Sequence, residues 1–179
     1  MTTTAALWRA MTTADLPAVN AIAAAVHVDY PEDAAVFDER LALHPQGCHV
    51  LGETDSGDTG ITGYIISHPW RLGEPPALNA LLGTIPSPAS TYYVHDIALL
   101  PQARGSGATA AVLTILLRHA AAISDNVSLV AVGGTVPFWR RHGFVPRQTT
   151  ALAHKLASYG TDASYMVRPL VDGAIAARG

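Results

Sequence analysis

One stretch constrains the fold of this chain more than any other: a strand-like run, a glycine loop and a helical pattern in succession. The run covers residues 92–100, the loop holds Arg104, Gly105 and Gly107, and the helical pattern begins at Ala108. A strand that enters a helix through such a loop leaves backbone N–H groups free at the helix N-terminus, where the dipole favours an anion such as phosphate. Glycine also lets the backbone approach that anion closely. The stretch therefore predicts an α/β domain with a phosphate-binding loop.

The loop does not fit the two best-known phosphate motifs. No Gly-Lys-Ser/Thr follows it, so it is not a Walker loop, and the third glycine of the dinucleotide fingerprint is absent. An ordinary strand–glycine–helix turn is the alternative interpretation. What the loop does match is the pattern Gln102-x-x-Gly105-x-Gly107, and a second motif, Phe138-Trp139-x-x-x-Gly143-Phe144, follows downstream.

This pair of motifs resembles the GNAT superfamily of acyl-CoA-dependent N-acyltransferases, and the motif strand is closest in pattern to the arylalkylamine N-acetyltransferase branch. The resemblance implies the α/β GNAT fold, a mixed central sheet of about six to seven strands with flanking helices. It also implies that the sheet is splayed at the acyl-CoA site. The implied cosubstrate is acetyl-CoA, with no metal, and the implied acceptor is a primary amine.

Composition bounds the remaining classes of function. With 179 residues, 49% of them apolar and 14% charged, we expect one domain over residues 1–172 and a frayed tail over 173–179. A net charge of −3 gives no basic footprint for nucleic acid. The only cysteine, Cys48, suits a reducing compartment, and neither a signal peptide nor a spanning segment is evident. We expect a cytoplasmic protein without a membrane partner, and a homodimer is left open.

The order of apolar patterns predicts seven strands and several helices. Strands are expected at residues 7–11, 49–53, 61–68, 92–100, 126–132, from 144 and at 164–170. Helices are expected after Thr13 or Asp15, at 33–43, at 108–123 and at 136–142. A turn is expected at 55–58.

The segment 69–90 is rich in proline and has little regular pattern, apart from a helical turn near residues 77–82. A connection of that length within a domain is usually functional or mobile. We expect this segment to form one wall of the acceptor pocket. The alternative is that it is a tolerated surface insertion. Tyr30, Pro31 and Trp70 are assigned to the acceptor side.

The resemblance also assigns the cosubstrate contacts. The pyrophosphate of CoA is expected on the backbone N–H groups of residues 104–109, with the Arg104 side chain adding charge. The pantetheine arm is expected to pair with the backbone of residues 97–99, and the N–H of Ala98 or Leu99 to polarise the thioester carbonyl. The complete set of expected cosubstrate residues is Ile97, Ala98, Leu99, Gln102, Arg104, Gly105, Ser106, Gly107, Ala108, Thr109, Phe138 and Trp139.

A general base must remove a proton from the acceptor, because an amine is protonated at neutral pH. Since alternate residues of a strand share a face, Tyr93, His95 and Ile97 are expected to point together and Asp96 away from them. An imidazole titrates near the working pH, so His95 is the expected base. The alternative is a structural histidine satisfied by Asp96 or by the backbone.

The general acid is less well specified by the sequence. The family often has a tyrosine where this chain has Trp139, and an indole is a donor that does not give up its proton. Tyr93, Tyr165 or water are the candidates to protonate the leaving thiolate. Two alternatives to a small-amine acetyltransferase stay open: a CoA-binding regulatory or degenerate module without efficient transfer, and a protein N-terminal or lysine acetyltransferase. A metal site at His44, Cys48 and His49 is disfavoured, because these residues straddle a turn.

Overall fold

The computed structural model describes residues 7–52 and 60–170, and one seven-stranded sheet runs through them in the order β1-β2-β3-β4-β5-β7-β6. Neighbouring strands are antiparallel, except that β4 and β5 are parallel. The expected α/β fold with a mixed sheet is confirmed. The strands are β1 Leu7–Ala10, β2 Cys48–Gly52, β3 Gly63–Trp70, β4 Thr91–Leu99, β5 Asn126–Ala131, β6 Val145–Arg147 and β7 Ser164–Pro169.

Helices cover both faces of the sheet. They are α1 Leu16–Val26, α2 Ala34–Leu43, α3 Ala108–Ala121, α4 Val136–Arg141 and α5 Thr150–Lys155. Helix α5 is absent from the sequence interpretation; it begins after Thr149, whose hydroxyl accepts the N–H of Leu152 at 3.1 Å. The expected turn at 55–58, the end of the second strand at Glu53 and the tail at 173–179 lie outside the described residues. Within the described residues, no helix combines the length and apolar character needed to cross a membrane.

The core has two main parts, one on each face of the sheet. On one face α1 and α2 contribute Val19, Ile22, Phe37 and Leu41, which pack on β2 and β3. On the other face α3 and α4 pack on β4, β5 and β7; the buried helix residues there are Val112, Leu113, Leu116, Ala120 and Trp139. The helical spacing of these apolar residues is the physical reason that the helices lie flat on the sheet.

Strands β4 and β5 diverge after a short paired segment. Their register joins Tyr92 to Val127, Tyr93 to Ser128 and Val94 to Leu129. Strand β4 nevertheless continues along β3 as far as the pair of Gly63 with Leu99. Residues 97–99 thus form a strand segment held on one side only, and a wedge opens between β4 and β5.

A β-bulge interrupts β4 at the point where the wedge opens. Ile66 of β3 is paired with Asp96, but the next residue, Ser67, is paired with Val94. One extra residue, His95, is therefore accommodated on β4 without a partner on β3. A bulge of this kind shifts the alternation of side chains along the strand.

Residues 71–90 have no helix or strand but are fastened at many points. Glu39 of α2 accepts the N–H of Leu82 at 2.7 Å and of Gly83 at 2.9 Å. Arg40, which is 1% exposed, donates to the carbonyl of Ala80 at 2.9 Å. The segment, called the proline loop below, is tied by these contacts to one helix.

We expect Glu39→Ala to destabilise the protein by about 1–3 kcal/mol, because two backbone N–H groups and Arg40 lose their acceptor. The matched control is Asp38→Ala, an exposed carboxylate on the same helix. Urea unfolding of both variants measures the difference, and limited proteolysis within residues 77–83 reports whether the proline loop is released. Equal unfolding midpoints for the two variants would contradict the role given to Glu39.

Candidate functional site

A cavity of about 580 Å³ occupies the wedge between β4 and β5. At one end it is lined by Arg104, Gly105 and Thr109, and along its side by residues 93–99 of β4. The other end is closed by residues from the α1–α2 connection, the proline loop and the segment before β7. Those residues are Tyr30, Glu32, Leu78 and Tyr159.

The loop before α3 has the backbone conformation expected of an anion site. Gly105 and Gly107 have φ values of +73° and +82°, and Gly107 caps the helix. A side chain is strained at such a φ, so glycine is needed here. The first N–H groups of α3 have no acceptor inside the helix and face outward at this end.

Arg104 is used differently from what the sequence indicated. Its backbone N–H donates to the carbonyl of Pro101 at 3.2 Å, so this amide is occupied by a turn. Its side-chain Nε donates to the carbonyl of Leu99 at 3.1 Å, at the end of β4. The remaining guanidinium N–H groups can still serve an anion.

Trp8 of β1 holds the start of α3. Its indole N–H donates to the carbonyl of Ala108 at 2.8 Å, one hundred residues away in the chain. Strand β1 therefore supports the helix that carries the loop.

His95 is paired with a carboxylate that the sequence did not indicate. Its Nε2 lies 2.9 Å from Oε1 of Glu32, and the two side chains are only 2% and 7% exposed. Nδ1 of His95 is buried and has no partner among the described residues. The second oxygen of Glu32 accepts the N–H of Asn79 at 3.0 Å, so one carboxylate contacts both the imidazole and the proline loop.

A second carboxylate–imidazole pair lies beside the first. Oδ1 of Asp96 is 2.7 Å from Nε2 of His27, the residue that ends α1. The other oxygen of Asp96 accepts a hydrogen bond from the hydroxyl of Tyr64. Burial by itself raises the pKa of Asp96, but the close contact with the His27 imidazole and the positive charge of that ring outweigh it, and the net direction is downward.

The bulge explains why the expected alternation along β4 is wrong. Tyr93 and His95 do lie together, since their rings are 5.5 and 6.4 Å from the ring of His68. Ile97, however, packs with the core under α3, whereas Asp96 contacts α1. The extra residue reverses the alternation, so His95 and Asp96, although consecutive, both line the cavity.

Two phenols meet at the closed end of the cavity. Burial, and then the neighbouring Tyr159, raise the pKa of Tyr93 well above its usual range. Burial and the charge of Glu32 raise the pKa of Tyr159 to about 12. The hydroxyl of Tyr159 donates to the carbonyl of Pro76 at 2.9 Å. Both phenols therefore keep their protons at neutral pH.

The structure places other expected residues at varying distances from the cavity. Phe138 and Trp139 line it, and Trp139 is otherwise packed against Phe144. Tyr165 and Trp70 do not line the cavity; they lie in a buried cluster behind Tyr93, and the hydroxyl of Tyr165 accepts the N–H of Gly73 at 2.9 Å. Residues that neither line the cavity nor are buried are Pro31, Gln102, Ser106, Gly107 and Ala108.

The histidines near Cys48 form a separate polar cluster. Nε2 of His44 lies 3.1 Å from Nε2 of His119 and 3.2 Å from the hydroxyl of Tyr92. Burial and the charge of His119 lower the pKa of His44 to about 4, so this ring is neutral at pH 7. Across residues 7–52 and 60–170, no three His, Cys, Asp or Glu side chains are grouped so as to hold a metal ion.

The chain is similar to known proteins in structure but not in sequence. No protein-family model matches the chain, and no curated protein sequence matches it at a significant level. The loading GNATL domain of CurA from Lyngbya majuscula is similar with a TM-score of 0.73 at 16% identity, over 93% of this chain and 98% of that one.

Two further solved structures show the same fold. The GNAT-like decarboxylase GphF, in complex with isobutyryl-CoA, has a TM-score of 0.71 at 16% identity, over 92% of this chain and 100% of that one. A chain of the NatC complex bound to a Gag peptide and CoA has a TM-score of 0.66 at 15% identity, over 94% and 100%. The chain therefore has the GNAT fold.

We expect Gly107→Val to weaken CoA binding by at least tenfold, because valine is strained at positive φ and its branched side chain projects where the N–H groups must meet a phosphate. The matched control is Gly83→Val, which carries similar strain at φ +74° on the proline loop, away from these groups. Calorimetry with CoA measures both affinities. Equal affinities of the two folded variants for CoA would show that this loop does not bind the phosphate.

Proposed function

We propose that the chain is an N-acetyltransferase that moves an acetyl group from acetyl-CoA to a primary amine of a small molecule, in a ternary complex. The observation that carries the proposal is the composition of one cavity. It joins an anion-binding loop and a strand held on one side only to a buried carboxylate–imidazole pair. The single, buried Cys48 fits the cytoplasmic location expected for such an enzyme.

The donor half of the cavity fits an acyl-CoA in three ways. The loop at residues 105–109 offers N–H groups and a helix dipole to a pyrophosphate. The edge of residues 97–99 that faces away from β3 offers backbone groups to the amides of pantetheine, as in the addition of a strand. The N–H of Ala98 or Leu99 then reaches the thioester carbonyl and stabilises the charge that develops on its oxygen.

His95 is the general base of this proposal. Glu32 accepts a hydrogen bond from the Nε2–H of His95 and so fixes the tautomer. The lone pair on Nδ1 is then left to take a proton from the ammonium group, directly or through one water. The neutral amine then attacks the thioester carbon. Glu32 also stabilises the imidazolium that forms.

The shape of the acceptor end favours a small molecule over a protein substrate. The proline loop is bonded to the α1–α2 connection, where the N–H of Asp33 donates to Oδ1 of Asn79 at 2.7 Å. It is also bonded to the segment before β7, where Ser158 accepts the N–H of Leu78 at 3.1 Å. An extended peptide needs an open channel between these two segments, and the proline loop spans it.

A second candidate function is decarboxylation of a 2-carboxyacyl-CoA, and one observation favours it. Trp139 occupies the position from which a tyrosine would protonate a departing thiolate, and decarboxylation breaks a C–C bond and leaves the thioester intact. GphF, which has the same fold, is a GNAT-like decarboxylase. The two functions differ in their products: free CoA in one case, and carbon dioxide with an acyl-CoA in the other.

We expect free CoA to be released from acetyl-CoA in proportion to an added primary amine, and small amines to be preferred to peptides. A thiol-detection assay over a panel of amines and short peptides measures this. Conversion of a 2-carboxyacyl-CoA to carbon dioxide and an acyl-CoA in the absence of amine would establish the second candidate function instead. Tight CoA binding with neither reaction would identify a binding module.

We expect His95→Gln to lower kcat at pH 7 by about 100-fold or more, the usual effect of removing a general base. The loss should shrink at high pH, where the free amine is abundant. His49→Gln is the matched control, since His49 lies on β2 and lines a different cavity. Unchanged kcat in His95→Gln at every pH would place the base elsewhere.

A further inference from the structure

Two carboxylate–imidazole pairs meet in the cavity, and the proposed reaction uses only one of them. Glu32 with His95 supplies the base. Asp96 with His27 has no role in that step. Nε2 of His27 lies 2.7 Å from Oδ1 of Asp96 in an ionic contact without hydrogen-bond geometry, and the side chains of Asp96 and His27 are 13% and 24% exposed. A nearly buried ion pair inside a substrate cavity costs desolvation and calls for a chemical explanation.

We propose that His27 is the general acid of the reaction, giving its proton to the sulfur of CoA as the thioester breaks. The inference rests on the proposed function and deepens it. Asp96 is the residue that positions and charges His27, and Tyr64 holds Asp96 from the other side.

The location of His27 suits this role. It follows the last turn of α1, where its N–H donates to the carbonyl of Ala23 at 2.8 Å, and the C-terminal end of a helix favours a cation. It lines the same cavity as residues 97–99, where the thioester is expected. The bulge is what turns Asp96 towards it.

The charges around His27 also suit an acid. Burial lowers its pKa, but the adjacent Asp96 carboxylate with its negative charge, the backbone of Ile97 and the charge of Glu32 outweigh burial, and the net direction is upward. Asp96 and Tyr64 face it from the sheet, Glu32 from the α1–α2 connection, and His95 is the nearby competing base. Burial and Asp96 raise the pKa of Tyr64, so that phenol keeps its proton and Asp96 stays ionised.

The other candidate acids are less suitable. The indole of Trp139 is a donor that does not ionise usefully. Tyr93 is buried, and its raised pKa makes it a poor donor to a thiolate of pKa about 8.5. Tyr165 does not line the cavity, and its hydroxyl accepts the N–H of Gly73.

In the proposed reaction, the amine loses two protons and the sulfur of CoA gains one. The amine nitrogen forms its bond to the carbonyl carbon after His95 has taken one proton from the ammonium group. The C–S bond then breaks, the electron pair goes to sulfur, and the proton of the His27 imidazolium joins it to give the thiol. The second proton of the attacking nitrogen leaves to water. His95 then releases its proton to solvent and His27 takes one up, so that one proton is released in each turnover.

The first test is the pH dependence of kcat with the best amine. We expect His27→Gln to lower kcat at pH 7 by about 100-fold and to abolish the alkaline limb, because the acid that must stay protonated is gone. We expect Asp96→Asn to retain activity at low pH and to move the alkaline limb to lower pH, since His27 loses the charge that holds its proton. His49→Gln is the control. An unchanged alkaline limb in both variants would overturn the proposal.

The second test does not need turnover, so it separates this proposal from the proposed function. The ring resonance of His27, assigned with His27→Gln, is followed by NMR during titration with CoA and with desulfo-CoA. We expect CoA to shift this resonance and its titration midpoint more than desulfo-CoA does, because only CoA has the sulfur. If His27→Gln does not fold, the same comparison of CoA with desulfo-CoA is made in Tyr64→Phe, which retains the His27 imidazole. Identical effects of both ligands would overturn the role of His27, whereas a sulfur-dependent shift without amine turnover would overturn the proposed function alone.

Discussion

The separation of β4 from β5 is the constraint on which the rest of the structure depends. The two strands pair at three positions only, and beyond Val94 the backbone of β4 is held by β3 alone. Buried backbone groups without partners are costly, so a strand edge of this kind must be met by water or by a ligand. Each arm of the wedge packs on a core of its own beyond that point: Ala98 of β4 on the core under α1 and α2, and Ala131 of β5 on the core under α3. The site is therefore a consequence of how the sheet is built.

The bulge at His95 converts this open edge into a chemical site. In a regular strand, His95 and Asp96 would face opposite sides, and one of them would be lost to the cavity. With one extra residue, both contact groups from the α1 side: Glu32 in one case and His27 in the other. Two imidazoles with separate carboxylates are thereby brought into one cavity, and in the proposed reaction one acts as the base and the other as the acid.

The sequence predicted the elements better than the site. Strand and helix patterns depend on local periodicity, and the seven strands, the loop and α3 follow from them. The bulge could not be predicted, because a period of two along residues 92–99 is compatible with an uninterrupted strand. Glu32 and His95 are 63 positions apart, and no local pattern relates them. The segment before β7 did offer a signal for α5, since Leu152, Leu156 and Tyr159 follow the N-cap Thr149 at positions i, i+4 and i+7.

The proline loop shows how an irregular segment can be fixed without secondary structure. Three of its backbone N–H groups donate to carboxylates instead of carbonyls: Glu39 accepts from Leu82 and Gly83, and Glu32 accepts from Asn79. Hydrogen bonds to charged acceptors are stronger than those between neutral groups, so few of them suffice. Because Glu32 also holds His95, the wall of the acceptor end and the orientation of the imidazole depend on the same side chain. Under the proposed function, an acceptor that displaces this wall also disturbs His95, and this coupling gives the cavity a physical means to discriminate between amines by shape.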